Sequence, residues 1–199
     1  MIQRGFDPRQ IVVLDTKTDA LERAEALGCA VIQADATRDN SMESVRVRQA
    51  RSVMISAGRD DTSILICLTA RHLAKDVPIS VVVRNGDNEF PAKAAGATTV
   101  INPVSFAGLL LAGSTEGASI ADYMADLASA SGHVRLHERE IEAFEVGKPL
   151  QDAAVGMGLR IMRKGHSIGW WEKGAAKLKA GDRIIEVIPD HLFPRVPTV

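Results

Sequence analysis

Residues 11–15, Ile11-Val12-Val13-Leu14-Asp15, decide the fold. They read as the second strand of a dinucleotide-binding βαβ unit: short, apolar, β-branched and closed by a carboxylate. In such a unit the acidic residue meets a ribose, and a G-x-G-x-x-G turn about 20 residues earlier cradles the pyrophosphate. Only the segment MIQRGFDPRQ precedes the strand here. The chain is therefore expected to enter a nucleotide fold one βα unit late, with the fold completed elsewhere or its phosphate site lost. Both alternatives argue against an ordinary dehydrogenase.

Working outward, strands and helices alternate up to residue 101. Strands are expected at Ile11–Leu14, Ala30–Gln33, Ser52–Ser56, Ile79–Val83 and Thr99–Ile101. Helices are expected at Thr18–Leu27, Asp39–Val45, Asp60–Ala74, Asn88–Ala95 and Val104–Leu111. Gly28 and Gly96 stop two of them. The apolar spacing of Ile64, Leu65, Leu68 and His72 sets the expected buried side of the Asp60 helix, with His72 a satisfied core residue. This rhythm implies right-handed crossovers and a parallel, Rossmann-like doubly wound sheet, here without its first strand and glycine loop.

After Gly113 the pattern changes. A helix over Ser119–Ser129 carries the seam Ile120, Tyr123, Met124, Leu127 and Ala128. The sequence Ser129–Gly132 reads as a joint. β-like runs follow at Val134–Leu136, Ile141–Val146, Arg160–Arg163 and Arg183–Ile188, with a short helix near Leu150–Val155. The expected organisation is a truncated N-lobe over 1–114, a crossover helix and linker over 115–132, a small α+β lobe over 133–190 and a fraying tail over 191–199. A lobe of about 60 residues buries little surface alone and needs a packing partner.

Composition narrows the function classes. The chain is 46% apolar and 25% charged, enough for a soluble, cored protein, and its net charge of −1 offers no field for nucleic acid. Cys29 and Cys67 each sit in an apolar run and read as buried thiols, which suits a reducing compartment. The apolar runs fall short of the roughly 18–20 residues that span a bilayer, and no secretory leader follows Met1. A soluble, cytoplasmic protein is expected, compatible with service to a membrane system.

Several strand ends carry candidate binding groups. Asp15 can accept ribose hydroxyls or simply order a turn. Asp35, Ala36 and Thr37 can admit an adenine to the backbone or cap the next helix. Ala57 and Gly58 allow a ligand close to the main chain. Asp60 and Asp61 suit the first turn of a helix. Arg84 can pair with a phosphate, or with Asp60 or Asp87. Alternation in a strand would put Glu138, Glu140 and Glu142 on one face, a weak Ca²⁺ candidate against a solvated strand face. No catalytic constellation appears: His137-Glu138-Arg139-Glu140-Ile141 is not H-E-x-x-H, and no G-x-S-x-G or C-x-x-C occurs. Trp170 and Trp171 suit either a partner contact or the cover of a thin core.

The order of these pieces resembles a known family. Val12-Val13-Leu14-Asp15, Gln33-Ala34-Asp35-Ala36-Thr37, the run Ser56–Ser63, Val83-Arg84 and the run Ala95–Pro103 follow one another as in the regulator-of-potassium-conductance domain. This is also called the RCK, KTN or Trk-type NAD-binding domain. In the second lobe Val146–Leu150, Gly158–Ile161, Lys164-Gly165 and Leu178–Ile185 fit its C-terminal subdomain, TrkA-C. The resemblance implies a binding module rather than an enzyme. It implies a cytoplasmic gating ring at the inner face of the cell membrane, built from dimers into tetramers or octamers, that acts on a potassium channel pore or transporter subunit. By position it assigns Asp15 to ribose, Asp35 and Thr37 to adenine and Arg84 to phosphates, with NAD/NADH, ADP/ATP or Ca²⁺ as ligands. It assigns the Val104 helix and the Ile120 seam to dimer contact and crossover. The absent glycine loop counts against phosphate binding. A channel fragment, an internal start at Met1 and a degenerate module remain open. Two further alternatives are a non-sensing assembly domain and a nicotinamide-dependent oxidoreductase, which would need the glycine loop and a proton donor.

Overall fold

The computed structural model describes residue 2, residues 5–129 and residues 132–192. The chain divides into two compact units, Met1–Gly113 and Ser114–Val199. The expected tail beyond residue 192 and the centre of the expected joint at residues 130 and 131 lie outside the described residues.

The first unit runs β1 (Val12–Asp15), α1 (Thr18–Ala26), β2 (Ala30–Gln33), α2 (Asp39–Ser44), β3 (Val53–Ile55), α3 (Asp60–Leu73), β4 (Ile79–Val82), α4 (Glu89–Ala94), β5 (Thr99–Ile101) and α5 (Pro103–Ser114). All its strand pairs are parallel, so the Rossmann-like alternation read from the sequence holds. The strands form two sheets, β1-β2 and β3-β4-β5. Val12 faces Ala30 in the first, while Val53 faces Ile79 and Val81 faces Val100 in the second.

The main core of this unit lies on one face of β3-β4-β5. Ile55, Ile79, Val81 and Val83 pack there with Cys67, Ala70, Ala74 and Ala92, and Met42 and Val47 belong to the same buried cluster. The buried residues of α3 are thus Ser63, Cys67, Thr69 and Ala70; of the expected line only Ile64 packs against the core, and Leu65, Leu68 and His72 do not. Leu65, Leu68 and His72 are exposed. Small side chains let α3 approach the sheet closely, and the larger residues are left on its outer side. Cys29 and Cys67 are both buried and free, as expected, and burial raises the Cys67 thiol pKa. At the end of α4, Gly96 takes φ +97°, and its carbonyl accepts Arg71 Nε and Nη2 at 3.0 and 2.9 Å. A Cβ there would lie 2.5 Å from Arg71 Cγ, so glycine is needed for both conformation and space.

The second unit contains α6 (Ala118–Ala128), β6 (Val134–Glu140), α7 (Leu150–Ala153), β7 (Met157–Arg163), β8 (His166–Gly169) and β9 (Arg183–Pro189). Its sheet is antiparallel in the order β6-β9-β7-β8, with an irregularity at Gly158 to Arg160. Leu150, Ile161, Leu178 and Ile184 form its core. In α6, Met124 and Leu127 are half-buried while Ile120, Tyr123 and Ala128 are exposed.

The strand expected at Ile141–Val146 is absent. Ile141 is buried and donates its N–H to the Asp182 carbonyl, after which Ala143–Glu145 turn as a 3-10 helix. The cause is Glu145: its carboxylate turns inward to Arg139 and to the Glu142 N–H, which breaks the extended run. Strand β8 was not expected. Its signal is Lys164-Gly165, a two-residue hairpin loop with φ 50° and 80° at the two positions.

Candidate functional site

The carboxyl edge of the parallel strands collects the candidate residues in two groups. Asp15 ends β1 opposite Gln33. Its carboxylate accepts the Lys17 N–H at 2.9 Å, and Gln33 reaches across to the Thr16 carbonyl at 3.2 Å. Asp35 follows β2 and accepts both the Thr37 N–H at 2.9 Å and its hydroxyl at 2.7 Å. These bonds from Thr37 hold the Asp35 carboxyl below its ordinary pKa, with help from Arg38. Ala36 packs against the core. Both carboxylates thus organise turns, and Asp15 keeps accepting capacity facing water.

The second group lies beyond β3 and β4, around a cleft of about 680 Å³. Asp60 organises it. Its oxygens accept the main-chain N–H groups of Arg84 at 3.0 Å and Asn85 at 2.9 Å and the Asn88 side-chain amide at 2.9 Å. The Asn85 N–H, then Asn88 and Arg84, hold its pKa below the usual carboxylate range. Arg84 Nη1 donates to the Ala57 carbonyl at 2.9 Å and more weakly to Gly58 at 3.4 Å. The structure therefore brings Ala57, Gly58 and Arg84 together but directs the guanidinium at carbonyls. Its task here is to tie the loop after β3 to the loop after β4. The space where a Gly58 Cβ would stand is open, so the main chain there is approachable. On the rim Arg59 pairs with Asp61, lowering that carboxyl to about 2. Asn102 accepts the N–H groups of Val104 and Ser105 at 3.1 Å and begins α5. Asp15 and Asp35 do not line this cleft.

The acidic strand face does not gather into a metal centre. Glu138 accepts Arg183 Nε at 2.8 Å, and Glu142 lies past the end of β6. Among the described residues no group of three His, Cys, Asp or Glu side chains could hold a metal ion.

Sequence reasoning missed two buried charge networks in the second unit. Fully buried Glu186 accepts Arg139 Nε at 3.1 Å and the Val155 N–H at 2.7 Å, with His137 Nδ1 at 3.2 Å. Arg139 also forks onto Glu145 at 2.8 and 2.7 Å, which lowers the Glu145 pKa. Separately, Arg163 forks onto buried Asp182 at 2.8 and 2.7 Å. Each partner comes from a different strand or turn, so no local spacing announces the pairs. Trp170 and Trp171 meet edge to face at 5.9 Å, both exposed, with the Trp171 ring lying over Gly169.

A parallel, doubly wound domain with carboxylates at its strand ends, followed by a small α+β lobe, defines a Rossmann-like fold of the TrkA-N type. The chain belongs to the TrkA-N domain family, which matches residues 2–103. Among curated proteins it is similar to the calcium-gated potassium channel TvoK of Thermoplasma volcanium, 23% identical over 197 residues, covering 92% of this chain. The chain spans 56% of that relative's length. Among solved structures the human SLO3 gating ring superposes with a TM-score of 0.65 at 12% identity, covering 90% of this chain and 40% of that one. The GsuK channel bound to NAD matches at a TM-score of 0.47 and 18% identity, covering 90% of this chain and 32% of that one. No helix among the described residues is long and apolar enough to cross a membrane.

Proposed function

We infer that this chain is a regulatory module of a potassium-transport system, in which a bound ligand biases the shape of an oligomer and so acts on a membrane pore or transporter subunit. The observation that carries this reading is the similarity to a calcium-gated potassium channel along nearly the whole chain. The surface of α5 supports assembly: none of its residues is buried, and Val104, Phe106, Leu109 and Leu111 are exposed. Exposed apolar surface of that extent suits an interaction site. The reading is of a binding module and not a catalyst, because the carboxylates of the cleft serve its own loops: Asp60 accepts main-chain and amide N–H groups and Asp61 pairs with Arg59. The proposed ligands are NAD/NADH, ADP/ATP or Ca²⁺, with Asp15 toward the ribose.

A second reading, an assembly domain that senses no nucleotide, is favoured by one observation. Arg84, the candidate for phosphate, turns Nη1 to the Ala57 and Gly58 carbonyls and stands 4.0 Å from the Asp60 carboxylate. Light scattering and calorimetry separate the readings. A dimer or larger ring that binds NADH, ADP, ATP or Ca²⁺ supports the sensor. A ring silent in every titration supports the assembly domain. A strict monomer up to high protein concentration overturns both.

A further inference from the structure

A second cavity, of about 410 Å³, lies wholly within the second unit. That volume falls in the range of small-molecule pockets, roughly 300–1,000 Å³. Its walls come from β6, the turn that follows it, α7 with the segment after it, and the end of β9 with Leu192. None of the strand-end candidates Asp15, Asp35 or Arg84 contributes to it.

The floor of the cavity is fixed, and its charges are spent on one another. Arg139 forks onto Glu145, reaches Glu186 through Nε at 3.1 Å and gives Nη2 to the Ala153 carbonyl at 2.9 Å. Both carboxylates are buried. Glu186 also accepts the Val155 N–H at 2.7 Å, which ties one wall to the network. Buried partners of this kind hold the shape of a site without being consumed by its ligand.

The mouth is chemically different. Lys148 and Asp152 both line the cavity and are exposed, and neither forms an ion pair with another described residue. Lys148 Nζ stands 4.9 Å from the centre of the Phe144 ring. Glu142 also lines the cavity but belongs to the cap of the turn Ala143–Glu145. The apolar wall is made by Phe144 and Val155, 65% and 59% exposed, with buried Ile188 behind them. The charged lining is two positive side chains, Arg139 and Lys148, against three negative ones, Glu142, Glu145 and Asp152. Buried Glu186 adds a further negative charge beneath them. That balance repels a polyanion such as a nucleotide.

We propose that this cavity is a binding site for a free α-amino acid with an apolar side chain. The ligand carboxylate meets Lys148, its ammonium meets Asp152, and its side chain lies against Phe144, Val155 and Ile188. A zwitterion engages both unspent charges at the mouth with charge-assisted hydrogen bonds. A simple carboxylic acid would leave Asp152 facing a like charge, and a simple amine would do the same to Lys148. The site lies in the second unit alone and stands whether or not the chain serves potassium transport.

The test is calorimetric titration of the full chain with L-leucine and L-phenylalanine, repeated with isoamylamine and isocaproate, which are leucine without its carboxylate and without its ammonium. At least one of the two amino acids is expected to bind with a Kd of about 1 mM or tighter, and each single-charge analogue at least about tenfold more weakly. Lys148→Gln and Asp152→Asn are each expected to weaken the amino acid about tenfold and to leave thermal unfolding of the free chain unchanged, because both side chains are exposed. Amide shifts in a nuclear magnetic resonance titration are expected at Phe144 and Val155. No binding of either amino acid up to about 20 mM overturns the proposal. Isoamylamine or isocaproate binding as well as leucine overturns the zwitterion as the ligand class. Undiminished binding in both variants places the amino acid elsewhere and overturns the site.

Discussion

Removing the Asp182 carboxylate should strongly destabilise the second unit. Asp182 is 1% exposed, and its oxygens accept a two-pronged bond from Arg163 and the Lys179 N–H at 2.8 Å. Asp182→Ala leaves a largely buried guanidinium without its counter-charge and an amide without its acceptor. Breaking one side of a buried pair costs about 3–5 kcal/mol. The Arg163 side chain keeps 19% exposure and a bond to the Lys177 carbonyl, so water and that carbonyl recover part of the loss. The lower end, about 3 kcal/mol, is expected. For a unit of this size that is on the order of 12–24 °C in midpoint. Both tryptophans lie in this unit, so urea unfolding followed by tryptophan fluorescence reads it selectively. The double variant Asp182→Leu with Arg163→Met should recover most of the loss, since an apolar pair of similar volume carries no orphaned charge. A loss below about 0.5 kcal/mol for Asp182→Ala, or a double variant no better than the single, would refute the account.

Acid should act through the same groups. Burial alone would raise the Asp182 carboxyl, but Arg163 and the Lys179 N–H outweigh it and the pKa falls; Arg139 lowers Glu145 in the same way. Their stabilisation is therefore present above the ordinary carboxylate range and is lost as pH drops through their depressed values; the urea midpoint should fall below about pH 4, and less steeply in Asp182→Ala. Gly96→Ala should cost about 2 kcal/mol from its left-handed backbone and the contact with Arg71, measured by thermal unfolding of the first unit. Asp60→Ala should speed exchange of the Arg84 and Asn85 amides and leave the second unit unaffected, because it frees both loops that line the cleft.

The legible part of the fold was the part set by local pattern. The five parallel strands announced themselves as β-branched runs, and α1 and α4 by the glycines that stop them, Gly28 and Gly96. The side of α3 that would be buried was not legible, because its core stripe is Ser63, Cys67 and Ala70, whereas hydrophobicity alone points to Leu65 and Leu68. Glu145 misled for a related reason. In the sequence it continues an alternating strand; in the structure a guanidinium six residues away draws it inside. Asp15, Asp35 and Arg84 stand at the strand ends where they were expected. Whether they face ligand or their own loops depends on neighbours such as Asp60, and no spacing rule gives that.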